Sequence, residues 1–232
     1  MPGHLPARGS LRSQRIQEAP ILKNAVRLIL VCLSLNVWGC ASNPSLGELV
    51  NDAPRRAALL QACQRPHVTE AVFHTLIRWP GREISLTEVV KVPPEGGFRV
   101  AGITDIGSTL YAVQVAPNGE SRVLGKSLPF SDRWLLDGLV AELLIPWNGP
   151  HEASQLYRQS DGTWTMAHQV RDDIRIFIFD AGGNWQGIYR LSGGHLRYRA
   201  SLEWDGEPIP KVIRVDNPGH HHRTVRERVS IQ

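Results

Sequence analysis

Three consecutive histidines, His220, His221 and His222, are the densest chemistry in this 232-residue chain, since imidazole is the commonest side-chain ligand for zinc and copper. In an extended segment neighbouring side chains point to opposite faces, so only His220 and His222 can share one ion. No Cys, Asp or Glu is spaced to complete a ligand set. The run follows Asn217-Pro218-Gly219, a turn, and reads as turn-flanking polar sequence; His220 and His222 are weak metal candidates, and no cofactor is expected. Asp105 in ITDIGST and Asp180 in FDAGG resemble the aspartic-protease turn in which two carboxylates share a proton. Ile106 separates Asp105 from Gly107, however, Ala181 follows Asp180, and Asp is expected wherever a strand runs into a turn. Serines scattered among His67, His74, His168 and His195 form no nucleophile elbow, phosphate loop or metalloprotease helix. Cys63 has no base beside it in sequence and reads as a small buried apolar residue.

The elements that would carry any site are mostly strands. From Val68 onward, runs rich in Val, Ile, Leu, Thr and aromatics, such as AVFHTLIRW, ISLTEVVKV and STLYAVQV, alternate with Pro80-Gly81, Pro117-Asn118-Gly119, Asp161-Gly162 and Gly182-Gly183. Short strands joined by tight turns predict an antiparallel meander of about 10–12 strands. HLRYRASLEW sets Leu196, Tyr198, Ala200 and Leu202 against Arg197, Arg199, Ser201 and Glu203, a half-solvated strand, whereas residues 174–179 alternate less and read as more central. Two helices interrupt. Asp52 caps a short one from Ala53-Pro54 that Pro66 closes. Ser131 caps a second over 131–145, with Trp134, Leu135, Leu136, Leu139, Val140, Leu143 and Leu144 on one face and Asp132, Arg133, Asp137 and Glu142 on the other, until Pro146 ends it. A sheet of that many twisted strands curls or closes. Partial closure around an apolar lining leaves a trough for an acyl chain, with the tentative ligand-binding residues Trp134, Leu135, Leu139 and Leu143 on the helix across its mouth; full closure leaves a solid barrel. The residues leave both open.

The start of the chain reads as an export signal. Lys23 and Arg27 precede a nearly uncharged run from Leu28 to Trp38 that stops at Gly39-Cys40. That run is short of the ~20 residues a membrane-spanning helix needs and fits the apolar core of a signal ending at a lipid-modified cysteine. The predicted organisation is signal peptide 1–39, lipidated Cys40 with a tether 40–52, and a β domain 53–232. Removing 1–39 takes away Arg8, Arg12, Arg15, Lys23 and Arg27 against Glu18, so the net charge of +4 falls to zero with 21 basic and 21 acidic residues. The nucleic-acid reading that a basic protein would invite goes with it. Cys32 also leaves, and with Cys40 expected to carry the lipid, Cys63 has no thiol left to pair with in the mature chain.

The lipidated cysteine, the short first helix, the segment RWPGREISLTEVVKVPPEGGFRVAGITDIGSTLYAVQV, the LLDGLVAELLIPW helix and PKVIRVDN near the end together resemble the LolA/LolB-like bacterial outer-membrane lipoproteins, and within them a domain-of-unknown-function branch. The resemblance spans Cys40 to Gln232 and implies a mainly β (α+β) fold: a curved antiparallel sheet forming an unclosed half-barrel with a helical lid. It also implies a non-enzymatic protein on the periplasmic face of the outer membrane that binds or transfers a lipid or acylated ligand. Ala41 after the cysteine, rather than Asp, agrees with outer-membrane sorting. The expected partners are the membrane through its lipid anchor, an acyl ligand and an envelope protein. Two alternatives stand beside this: an assembly lipoprotein with a solidly packed barrel that binds an envelope protein, and a hydrolase or metal-dependent enzyme.

Overall fold

The computed structural model describes residues 46–64, 67–127 and 129–232; Cys40, the signal segment and the start of the tether lie outside the described residues. Among the described residues thirteen strands form one antiparallel sheet: β1 (Glu48–Leu49), β2 (Glu70–Trp79), β3 (Arg82–Lys91), β4 (Phe98–Ile103), β5 (Thr109–Val115), β6 (Ser121–Lys126), β7 (Gln155–Arg158), β8 (Trp164–Val170), β9 (Asp173–Phe179), β10 (Trp185–Ser192), β11 (His195–Glu203), β12 (Val212–Asn217) and β13 (His222–Ile231). Their order is β1-β7-β8-β9-β10-β11-β12-β13-β2-β3-β4-β5-β6, so β1 and β6 are the two edges and the sheet does not close. Two meanders, β2 to β6 and β7 to β13, are joined where β13 pairs with β2.

Twelve of these strands follow the turn chemistry of the sequence, and the thirteenth corrects it. Glu48 and Leu49, inside the stretch predicted to be tether, pair with Arg158 and Tyr157 of β7. The Leu46 carbonyl accepts a hydrogen bond from the Thr165 hydroxyl (2.9 Å), and Leu46 packs beside Ala167, Ile176 and Leu191 on the outer face. That cover also explains β9. Its weak alternation arises because both faces are covered, Phe177 and Phe179 from inside and Ile176 from outside; β9 is fourth from the edge, not central. β11 alternates as its sequence requires, with Tyr198, Ala200 and Leu202 buried and Arg197, Arg199, Ser201 and Glu203 exposed.

α1 (Ala53–Ala62) starts where expected: the Asp52 carboxylate accepts from the Arg55 amide and Pro54 sits in the first turn. The second helical stretch connects edge strand β6 to β7, near the opposite edge, and its buried side chains join the one large core. It comprises α2 (Asp132–Trp134), a π-helical turn (Leu135–Val140), α3 (Ala141–Leu143) and a 3₁₀ turn (Ile145–Trp147), and is called the cross-helix below. Ser131 caps it by accepting from the Trp134 amide.

One glycine shapes the inner face. Gly102 of β4 lies between Glu88 of β3 and Tyr111 of β5 in register. A Cβ there would overlap the Tyr111 ring and approach Leu86 Cδ1 to 2.8 Å. Without it, Tyr111 lies across β4 and its hydroxyl donates to Glu88. Gly102→Val is expected to destabilise the protein by about 2 kcal/mol or more through overpacking, read as a lower urea midpoint; an unchanged midpoint would show that the ring has room to move.

Candidate functional site

The inner face of the sheet is apolar except at its middle. Phe73, Ile77, Leu86, Val90, Val100, Val113, Ile213 and Val215 turn inward from β2 to β5 and β12, and the cross-helix lays Leu135, Leu139 and Leu143 against the same core, each with no exposed surface. Trp134 is partly exposed, stacked on Phe130 at 4.0 Å between centroids. Three of the four tentative ligand residues therefore occupy the place where a ligand was expected, and they fill it. Phe130 stands edge-on to Trp79 at 5.3 Å, which seals the N-terminal end of the cross-helix with rings.

At the middle is a buried polar cluster. Glu142, predicted on the solvated face of the helix, is completely buried. The reason is its set of partners: Oε1 accepts from Asn217 Nδ2 (2.6 Å) and His222 Nε2 (2.9 Å), and Oε2 accepts from the Thr224 hydroxyl (3.3 Å). Arg226, also fully buried, donates from Nε to Glu88 Oε2 (2.7 Å), from Nη1 to Thr224 Oγ1 (2.7 Å) and from Nη2 to the Leu139 carbonyl (3.1 Å). Thr75 adds a 2.7 Å bond to Glu88. Burial by itself would raise the Glu142 carboxyl, but the His222 hydrogen bond and charge, with Arg226 and Asn217, hold it below the usual 4.5. Burial would likewise lower Arg226; the two carboxylates reverse that and raise it. Tyr111 is pushed well up by burial and by Glu88, so its hydroxyl stays a donor.

The histidine run is thereby split between inside and outside. His222 faces inward and is spent on Glu142, with Nδ1 buried and unpartnered among the described residues. His220 stacks on it at 6.2 Å, and its ring is held below the usual imidazole range by burial and by His222. His221 takes the left-handed turn conformation (φ 54°). Among the described residues no group of three or more His, Cys, Asp or Glu is arranged to hold a metal ion.

Asp105 and Asp180 lie in turns at opposite rims of the antiparallel sheet, so no shared-proton pair forms. Asp180 instead accepts from the Gly183 and Asn184 amides. The Cys63 thiol is pushed up to about 12 by burial, which makes it a poor nucleophile. Ile106, 88 % exposed at the tip of the β4–β5 turn, stands on the rim opposite the one where Leu46 meets the sheet. None of Glu88, Arg226 or Ile106 stands out in the sequence as functional. Arg226 carries a signal there, a charge at an inward position of β13, in register with apolar Ile213 on β12 and with Thr75 on β2.

No family model matches the chain, and no curated protein matches its sequence. Among solved structures, the LolA superfamily protein NE2245 from Nitrosomonas europaea superposes with a TM-score of 0.54, covering 79 % of this chain and 94 % of that one at 11 % identity. The fold is LolA-like. A DUF1329 family protein from Desulfovibrio piger superposes with a TM-score of 0.45 at 11 % identity, over 77 % of this chain and 90 % of that one.

The buried cluster gives stability a pH dependence of known sign. Glu142 titrates lower folded than unfolded, so its contribution is complete above about pH 4.5 and is lost as pH falls through the folded value. Glu142→Gln is expected to cost about 1–3 kcal/mol at pH 7, because an amide accepts at only one oxygen and leaves a buried donor among Asn217, His222 and Thr224 unpaired. The same variant should flatten the loss of urea resistance below pH 4.5; an acid limb as steep as the parent's would assign it to other carboxylates.

Proposed function

We propose that this chain is a lipid-anchored envelope protein that binds an acyl-bearing lipid or lipoprotein on the inner face of its unclosed sheet, without catalysing a reaction. One observation carries the reading. The apolar concavity is covered by a single helical segment whose leucines occupy the volume an acyl chain would take, in a sheet with two free edges. Leu135, Leu139 and Leu143 are then surrogates for the ligand in the closed protein, and binding displaces the cross-helix. The segment is built to yield. Its Leu135–Val140 turn is π-helical, a form found mostly as short insertions at functional sites, and Gly138 within it faces the His222 and His220 rings.

Cys40, as the acylated residue, sets the orientation. Five residues separate it from Leu46, six chain steps with a reach of at most about 20 Å. The rim next to Leu46, where β8 and β10 begin at Trp164 and Trp185 and β11 ends beside Trp204, is therefore the one held toward the bilayer. Partly exposed Trp164 and Trp204 suit that interface, while Trp185 is buried. The periplasmic face of the outer membrane is the proposed location.

The solid packing under the cross-helix also favours a second reading, an assembly protein whose barrel never opens and whose surface binds an envelope partner. Mass spectrometry of lipids extracted from native protein decides between them. Copurifying acyl lipid, together with displacement of a bound fluorescent fatty acid by that extract, is expected; lipid-free protein that takes up no fatty acid would favour the assembly reading. Anchoring is checked separately. Labelled palmitate incorporation should vanish in Cys40→Ala with release from the membrane fraction, and a variant that stays membrane-bound would overturn the anchor.

A further inference from the structure

Beside the C-terminal end of the cross-helix a groove of about 740 Å³ opens between the β8–β9 hairpin and the segment that follows Trp147. Its lining is unlike the leucine-filled concavity. Trp147 and Phe177 are buried at one part of it, while His151, His168, Asp173 and Arg175 supply polar groups.

These groups are not equally free. Asp173 is engaged by Arg190 through a 2.7 Å ion pair, so its negative charge is already met. The two imidazoles stack at 5.2 Å between centroids. His151 Nδ1 accepts from the Ala153 amide at 3.2 Å, so in the neutral ring the proton resides on Nε2, a donor. Arg175 is exposed, sits in register between His168 of β8 and Arg190 of β10, and makes no hydrogen bond or ion pair among the described residues. At the buried end the Trp147 indole N–H has no hydrogen-bond partner among the described residues either. The hairpin tip adds Arg171 and Asp172, whose charges offset each other, with Arg171 in the left-handed conformation (φ 57°). The groove thus offers imidazole donors and a guanidinium that makes no hydrogen bond among the described residues, beside two carboxylates: Asp172, next to Arg171 at the tip, and Asp173, engaged by Arg190 and within electrostatic reach of Arg175.

We propose that this groove takes the acidic head group, carboxylate or phosphate, of an amphiphilic ligand, with Arg175 as its ion-pair partner, His168 and His151 as hydrogen-bond donors, and Trp147 and Phe177 against the first carbons of the chain. The inference rests on the acyl-binding reading above and adds head-group selection to it. A planar guanidinium pairs with either oxyanion through charge-assisted, two-pronged hydrogen bonds. A neutral sugar head group would meet the same donors but gain no charge.

Calorimetric titration with laurate, dodecyl phosphate and dodecyl maltoside, each below its micelle concentration and at one ionic strength, tests this. One or both acidic probes should bind at least about tenfold more tightly than the maltoside, a difference of one charge-assisted contact. Arg175→Gln should remove that margin by weakening the acidic probes about tenfold and the maltoside far less, with the thermal midpoint unchanged, and His151→Gln should narrow it. Preference for laurate alone assigns a carboxylate, for dodecyl phosphate alone a phosphate, and for both an acidic group of either kind. Equal affinity for all three probes, or an Arg175→Gln variant that weakens all three alike, would overturn head-group selection and leave acyl binding standing. Binding of none would overturn both.

Discussion

Arg226 is the residue on which the inner face depends. A guanidinium with no exposed surface carries a desolvation cost of several kcal/mol, recovered only if the counter-charges and hydrogen-bond acceptors are all in place. Here they come from three directions: Glu88 on β3, Thr224 on its own strand and the Leu139 carbonyl on the cross-helix, with Glu142 at 3.6 Å. Each partner needs its own support. Glu88 is held by Thr75 and Tyr111, Tyr111 reaches it only because position 102 is glycine, and Glu142 is held by Asn217 and His222. A chain of requirements thus runs from β2 to β5 through β12 and β13 to the helix.

Topology makes that cluster necessary. The cross-helix leaves one edge strand and reaches β7 near the other edge, and leucines alone would hold it only loosely in register, since apolar contacts are non-directional. A one-turn slide would exchange one leucine for another at small cost. It would also carry the Glu142 carboxylate away from Asn217, His222 and Thr224, leaving buried donors unpaired. The polar cluster is what fixes where along the sheet the helix rests.

Periodicity made most of the fold legible and hid this cluster. Alternation identified β11, turn residues separated the strands, and Asp52 and Ser131 announced both helix starts, because these signals are local. Glu142 reads as solvent-facing by the rule that charges on an amphipathic helix face outward, a rule that holds unless a partner waits inside. That partner, Arg226, lies 84 positions away in sequence, and no local pattern relates the two. The His220-His221-His222 run drew attention as candidate metal chemistry, whereas His222 serves as a hydrogen-bond donor to the same carboxylate. β1 went unseen because a two-residue strand has no period to read, and the cover that Leu46 gives β9 made an off-centre strand resemble a central one.

The distribution of Arg226's bonds bears on how the concavity could open. Its bond to Glu88 and its bond to Thr224 are within the sheet; only the Leu139 carbonyl and the Glu142 contact belong to the helix. If the helix moved out, as the proposed function requires, Glu142 would depart with it and gain water, which solvates a carboxylate better than any protein interior. The sheet would keep one guanidinium and one carboxylate, still paired. Neither half would be left with an uncompensated buried charge. A network that joined helix and sheet through Arg226 alone, with Glu88 absent, would strand the guanidinium on the apolar face once the helix left; with Glu88 in place, the guanidinium stays paired whether or not the helix covers it.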